Sequence, residues 1–164
     1  MEQKIKLDLG SGIEPHGDGY QPIDKYVIGE GIINTDIGDL NMYADGTVDE
    51  IWCSHALEHI EKRKVMPTLR EWFRVMRVGG RLVIEVPDLV WCCQNWLSHR
   101  DDPFDAFHND QLFGNQDPPG GQFHQTGFSH TSLQMVVEDA GFHVLYVNTI
   151  FSHAQNCIHL EALK

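Results

Sequence analysis

Basic residues are scarce in this chain: 12 Lys and Arg stand against 24 Asp and Glu, a net charge of −12. An acidic surface repels phosphates and anionic lipid, so neither nucleic acid nor a membrane is expected as a partner. The densest basic cluster, Lys62-Arg63-Lys64, reads as a solvated helix face. Cysteine is also sparse. Cys53 and Cys157 fall in strand-like apolar runs, Cys92 and Cys93 in a helix-like one, and no C-x-x-C occurs. That spacing excludes a zinc knuckle or a dithiol redox motif. Buried, reduced thiols fit a cytoplasmic protein. No apolar run approaches the roughly 18 residues that would cross a bilayer. The chain enters a strand-like segment almost at once, so no signal peptide is expected.

The 164 residues suit one domain, residues 1–164, and a hydrophobic fraction of 41% supports a packed core. Alternating or apolar runs predict strands over Lys4–Leu9, Gln21–Asp24, Gly31–Thr35, Glu50–Ser54, Arg81–Val86, Phe142–Thr149 and Asn156–Leu163. Between Glu61 and Val78, Val65, Leu69, Trp72, Phe73 and Met76 recur at helical spacing, with Pro67 expected in the first turn and Gly79-Gly80 as the stop. Helices are also expected over Leu89–Leu97 and Thr131–Ala140. Residues 100–128 hold three Pro and four Gly and show no period, as a lid or acceptor loop would. Strands alternating with helices imply a parallel sheet. The last two strands lie too close in sequence for a crossover and should form a hairpin. The expected fold is α/β: a Rossmann-like, doubly wound, mostly parallel seven-stranded sheet with an antiparallel C-terminal hairpin and helices on both faces.

The first strand runs into LDLGSG, and Asp24 follows Gly12 by only 12 residues. Gly10 and Gly12 let the backbone approach a ligand. A dinucleotide fingerprint would need a third glycine opening a helix. Pro15 stands there instead, and residues 13–22 carry two Pro and two Gly, too broken for a helix. No Walker loop is present. The elbow therefore suits a nucleoside without phosphates, and a nicotinamide oxidoreductase is disfavoured. Asp24 and Asp36 end the second and third strands, where carboxylates can accept from ribose hydroxyls and an adenine amino group. Asp8 lies in the elbow run, near any cationic end of the ligand.

These stretches resemble the class I S-adenosylmethionine-dependent methyltransferases of the small methyltransferase-11-like kind. The resemblance rests on LDLGSG (7–12), GYQPID (19–24), NTDIGDL (34–40), DGTVDEIWCSHALEHI (45–60), LREWFRVMRVGGRLVIEVPDL (69–89), FSHTSLQMVVEDAGF (128–142) and CIHLEALK (157–164). The LEH and RVGGRLVIEVPD segments are its most specific parts. It implies S-adenosylmethionine as donor and S-adenosylhomocysteine as product. By resemblance, Asp8, Gly10, Ser11 and Gly12 wrap the methionine part, Asp24 holds ribose, Asp36 and Ile37 lie at adenine, and His55 lines the methionine end. Most relatives keep a helix between the first two strands; this chain replaces it with Ile13–Pro22.

Methyl transfer expels a neutral thioether, so alignment and exclusion of water are the main tasks. A base is needed only for a protonated acceptor. His124, in GGQFHQTGFS, is the first candidate and His59 the second; His108 and His130 are further ones. Glu58-His59 has a structural alternative, capping the following helix. Asp117-Pro118-Pro119 is a chance likeness to a motif that belongs after the fourth strand. His108, His124 and His130 are too irregularly spaced for a metal site, and no metal is expected. The acceptor expected is a small molecule or sugar. A catalytically silent donor-binding partner subunit is the alternative, and a homodimer is compatible.

Overall fold

The computed structural model describes residues 4–13, 15–99, 101, 106–116 and 122–164. Six strands, β1 (Lys6–Leu9), β2 (Tyr20–Ile23), β3 (Val48–Ser54), β4 (Met76–Pro87), β5 (His143–Ser152) and β6 (Gln155–Leu163), form one sheet in the order β2-β1-β3-β4-β6-β5. β2, β1, β3 and β4 pair in parallel, whereas β6 runs antiparallel to both β4 and β5. The helices around it are α1 (Lys62–Val75), α2 (Leu89–His99), α3 (Ala106–Phe113) and α4 (His130–Asp139). A single 3-10 turn, Leu57–His59, follows β3. The mostly parallel sheet and the C-terminal hairpin are as the sequence implies.

Side-chain alternation gives the sheet two unlike faces. Leu7, Leu9, Ile51, Leu82, Ile84 and Leu160 point to one side and share a core with Val65, Leu69 and Trp72 of α1 and Leu133 and Val137 of α4. Burying each such side chain contributes roughly 1.5–3 kcal/mol. Trp72 is fully buried, yet its indole N–H is satisfied by the Ile37 carbonyl at 2.7 Å. The opposite side is polar. Lys6, Glu50 and Arg81 occupy paired positions on β1, β3 and β4. Lys6 reaches Glu50 at 3.0 Å, Arg81 reaches Glu50 at 2.8 Å and Glu161 of β6 at 2.6 Å. Tyr20 donates to Glu50, and Tyr146 donates to Glu161. The row satisfies its own charges, so this face needs no hydrocarbon cover.

The structure differs from the sequence reading in four places. The strand expected over Gly31–Thr35 shrinks to one bridge, Ile23 to Ile33, which leaves six strands rather than seven. Asn34 donates to the Asp24 and Lys25 carbonyls and the Asp36 carboxylate accepts from Gly38 N–H, so the chain turns away from the sheet. α1 ends at Val75, because the Arg77–Gly80 segment already belongs to β4; Pro67 sits inside the helix, past its first turn. Glu58 and His59 do not cap α1, whose N-cap is Glu61 and carries no side-chain bond. Finally, the supposed loop 100–128 contains α3. Among the described residues, 10–19 hold turns and bends and no helix, as Pro15 implies. Asp117-Pro118-Pro119 lies outside the described residues.

The Glu161 carboxyl is held down to about 2, chiefly by the Arg81 guanidinium. Its folded value lies below the ordinary 4.5, so its contribution is complete above that pH and is lost as pH falls from 4.5 toward 2. Arg81 is 42% exposed, and solvent screening trims the effect. Glu161→Gln is expected to cost about 1–2 kcal/mol at pH 7 and nearly nothing at pH 2, read from urea unfolding at both pH values.

Candidate functional site

The elbow after β1 is fixed by backbone bonds. Gly10 N–H and Ser11 N–H both donate to the Ile23 carbonyl, at 2.8 and 3.3 Å. Gly10 has φ +75, and a Cβ there would lie 2.3 Å from the Ala56 Cβ, so the elbow rests directly on the residue after His55. Gly12 has φ +60 and nothing within 4 Å of an added Cβ; its surface faces open space that a ligand can enter. Ser11 Oγ donates to the Gly12 carbonyl.

Asp24 is 9% exposed and holds this corner together. Oδ2 accepts from Gly12 N–H at 3.0 Å, and Oδ1 accepts from Tyr26 and Val27 N–H at 2.7 and 2.9 Å. A carboxylate offers about four acceptor positions, so about one remains for a ligand hydroxyl. Asp8 is buried, and its Oδ2 accepts from His16 N–H at 2.8 Å. Burial raises its pKa, partly offset by that bond. The His16 ring stacks on Trp52 at 3.7 Å, so the abbreviated connection closes over the polar sheet face. Asp36 pairs with Lys25 at 3.1 Å. Burial opposes its charge, but the Gly38 N–H and Lys25 bonds bring the pKa below the usual range. Ile37 points into the core.

His55 sits past the end of β3 with φ 52, strained for a non-glycine residue. Its Nδ1 lies 3.4 Å from Glu58 Oε1 and its Nε2 3.5 Å from Cys157 Sγ. Burial disfavours the charged ring, but contacts with Cys157 and Glu58 carry its pKa up to about 10. Glu58 is only 2% exposed; despite burial, His55 keeps its carboxylate ionised. The sequence reading gave Glu58 no place in the site. What brings it in is a segment some 65 residues further on. The Glu58 carbonyl accepts from Gln125 and Thr126 N–H, the His59 carbonyl from Gln125 Nε2, and the Ile60 carbonyl from Thr126 Oγ1. This strap, 122–127, places His124 against His59, with ring centroids 5.1 Å apart. Burial lowers the His124 pKa, leaving the ring neutral at pH 7.

Beside these rings is a cavity of about 410 Å³ lined by His55, Glu58, His59, Gln111, His124 and His153. A second, of about 190 Å³, shares Glu58, Gln111 and His124 with it. His153 enters from the β5–β6 turn and meets His55 edge-on at 4.3 Å. The structure thus gathers His55, His59 and His124. His130 lies elsewhere, bonded to Thr149 Oγ1 and 3.8 Å from Asp88, and His108 stacks on His99.

A Methyltransferase domain family profile matches residues 21–84. No curated protein sequence is significantly similar to the chain. Solved structures are. An S-adenosylmethionine-dependent methyltransferase from Methanosarcina mazei superposes with a TM-score of 0.69 at 15% identity, over 100% of this chain and 94% of its own. A Burkholderia thailandensis 1,6-didemethyltoxoflavin-N1-methyltransferase, solved with 1,6-didemethyltoxoflavin and S-adenosylhomocysteine, gives 0.65 at 15%, over 98% and 70%. A Haloferax volcanii complex of the Trm112 methyltransferase activator with a methyltransferase gives 0.65 at 16%, over 99% and 82%. Residues 21–84 thus match the methyltransferase domain profile, and the chain as a whole shares the fold of these solved S-adenosylmethionine-dependent methyltransferases.

Gly10→Ala is expected to destabilise the fold by about 2–4 kcal/mol, through its left-handed backbone and the collision with Ala56. Urea unfolding measures this, and adding Ala56→Gly should recover part of the loss.

Proposed function

We propose that the protein is an S-adenosylmethionine-dependent methyltransferase that methylates a small, polar acceptor such as a sugar or other metabolite, releasing S-adenosylhomocysteine. One observation carries the reading: the glycine elbow rests on Ala56, so the donor corner adjoins the histidine-lined cavity. The residues fit the donor. Gly12 leaves its side of the elbow open, Asp24 keeps an acceptor position for a ribose hydroxyl, and Asp36 is partly exposed where an adenine amino group would lie. Asp8 and His55 flank the methionine end; Ile37 supports the adenine side through its backbone. The donor supplies a carbon activated by its sulfonium sulfur.

The chain's own residues would then position the acceptor and keep water out. The cavity volume falls in the usual range of ~300–1,000 Å³ for small-molecule sites. Its histidines and amides suit hydroxyl or amino groups, and the net charge of −12 argues against nucleic acid. Residues 106–116 and the strap 122–127 form its outer wall, the role assigned to the 100–128 segment as acceptor lid. His124, neutral at pH 7, and His59 beside it are the groups that would take a proton from the acceptor. A second reading draws on the Haloferax complex, in which a methyltransferase is paired with an activator: this chain binds the donor but turns over only with a partner. No described helix is long and apolar enough to cross a membrane.

Calorimetry should detect S-adenosylhomocysteine binding and none of NAD; the reverse preference would remove both readings. Asp24→Ala should weaken binding by about 1.5–3 kcal/mol, roughly 10- to 100-fold. His124→Ala should keep that affinity and lose about 10²-fold or more in turnover with a metabolite panel. No turnover by the wild-type chain alone would favour the partner reading.

A further inference from the structure

Glu58, which lines the cavity, carries an atom that neither the donor nor the fold accounts for. Glu58 Oε2 is buried with no hydrogen-bond partner among the described residues. Its sister oxygen is engaged by His55, so the carboxylate cannot rotate to relieve it without abandoning that contact. A buried, unpartnered carboxylate oxygen is costly, and it calls for a ligand. One donor atom each from Glu58, His59 and His124 lies within 4.8 Å of the other two.

We propose that Glu58, His59 and His124 bind one divalent transition-metal ion, Zn²⁺ being the best match to two imidazoles and a carboxylate. His59 is already oriented for this. Its Nδ1–H donates to the Phe123 carbonyl at 2.9 Å, which leaves the Nε2 lone pair bare. A backbone carbonyl holding the far nitrogen is the usual support of a metal-bound imidazole. His55 on Glu58 Oε1 supports the carboxylate in the same way. Ligands at ~2.0–2.1 Å in a tetrahedron stand roughly 3.4 Å apart, so the three groups must close by little more than about an ångström. The strap carrying His124 is pinned at Gln125 and Thr126 N–H, Gln125 Nε2 and Thr126 Oγ1, through His124 N–H to the Phe113 carbonyl and through the Phe123 carbonyl to His59 Nδ1, and rotation of the ligating side chains covers that distance.

A single water could satisfy Glu58 Oε2. It would not explain why two imidazoles converge on the same point, one with its tautomer set to present a lone pair. Three protein ligands leave a fourth position open, and the 410 Å³ cavity lies against it. The ion's use rests on the methyl-transfer reading: it would hold a hydroxyl oxygen of the acceptor beside the donor. With the ion bound, His59 and His124 would be its ligands in place of the proton-accepting role given above: the C–S bond would break, the C–O bond would form and the hydroxyl proton would leave to solvent. The set differs from the one rejected on spacing, since His108 and His130 take no part.

The test needs no donor and no turnover. Metal-free protein titrated with Zn²⁺ should take up one equivalent tightly, and Co²⁺ in its place should give visible d–d bands of low coordination number. Glu58→Gln, His59→Ala and His124→Gln should each weaken the Zn²⁺ site on the order of 100-fold, whereas His143→Ala, on an exposed strand end, should not. Thermal melts of each variant without metal establish that it folds. Because removing Glu58 strikes the core, His124→Gln on the surface strap is the decisive variant. Undiminished tight Zn²⁺ binding by a folded His124→Gln chain, or no stoichiometric uptake by the wild type, overturns the proposal. Either result leaves S-adenosylhomocysteine calorimetry untouched, so the site and the methyl-transfer reading fail separately.

Discussion

The Asp24 carboxylate ties the elbow after β1 to the turn after β2. It accepts from the elbow at Gly12 and from the turn at Tyr26 and Val27. A Rossmann-like sheet ordinarily lets a helix fix the loop after its first strand. With Pro15 in the way, that duty falls to one side chain and to the Ile23 carbonyl, which binds Gly10 and Ser11 together. The proposed donor corner is thus held by the same residue to which the proposal gives the ribose. Three N–H donors converge on that one carboxylate.

The histidine-lined cavity is built differently. Its wall is made from chain far away in sequence, fastened to the carbonyls of Glu58, His59 and Ile60. Those carbonyls are free because the LEH segment is a single 3-10 turn that does not run on into α1. A longer helix there would use them internally and leave the strap without anchors. The strained φ of His55, immediately upstream, sets where that turn begins. It also points the ring at Glu58 rather than out to solvent.

Much of this was visible in the residues, and the misses have specific causes. The strands announce themselves by apolar runs such as LVIEV, bounded here by Gly79-Gly80 before it and Pro87 after it. The proposed donor site draws on local sequence, because LDLGSG, PID and NTD each place an acid within or just after an apolar run. His124 and His59 could be named from position, though nothing local says that they touch. Glu58 was read as a cap because its burial depends on Gln125 and Thr126, which no window around residue 58 contains. The α3 segment, AFHNDQLF, lacks a regular apolar stripe, so the glycines and prolines around it dominated. GIINT looks like a strand by composition, but Asn34 and Asp36 spend their side chains on the local backbone and turn it after one bridge.

The charged row from Lys6 through Glu50 and Arg81 to Glu161 bears on how such a sheet can do without a helix between its first two strands. Removing a covering helix usually bares hydrocarbon, and bare hydrocarbon recruits other molecules indiscriminately. Here the row beside the short connection is charged and internally neutralised. Trimming a layered architecture is then less a matter of deleting a segment than of rewriting the floor beneath it.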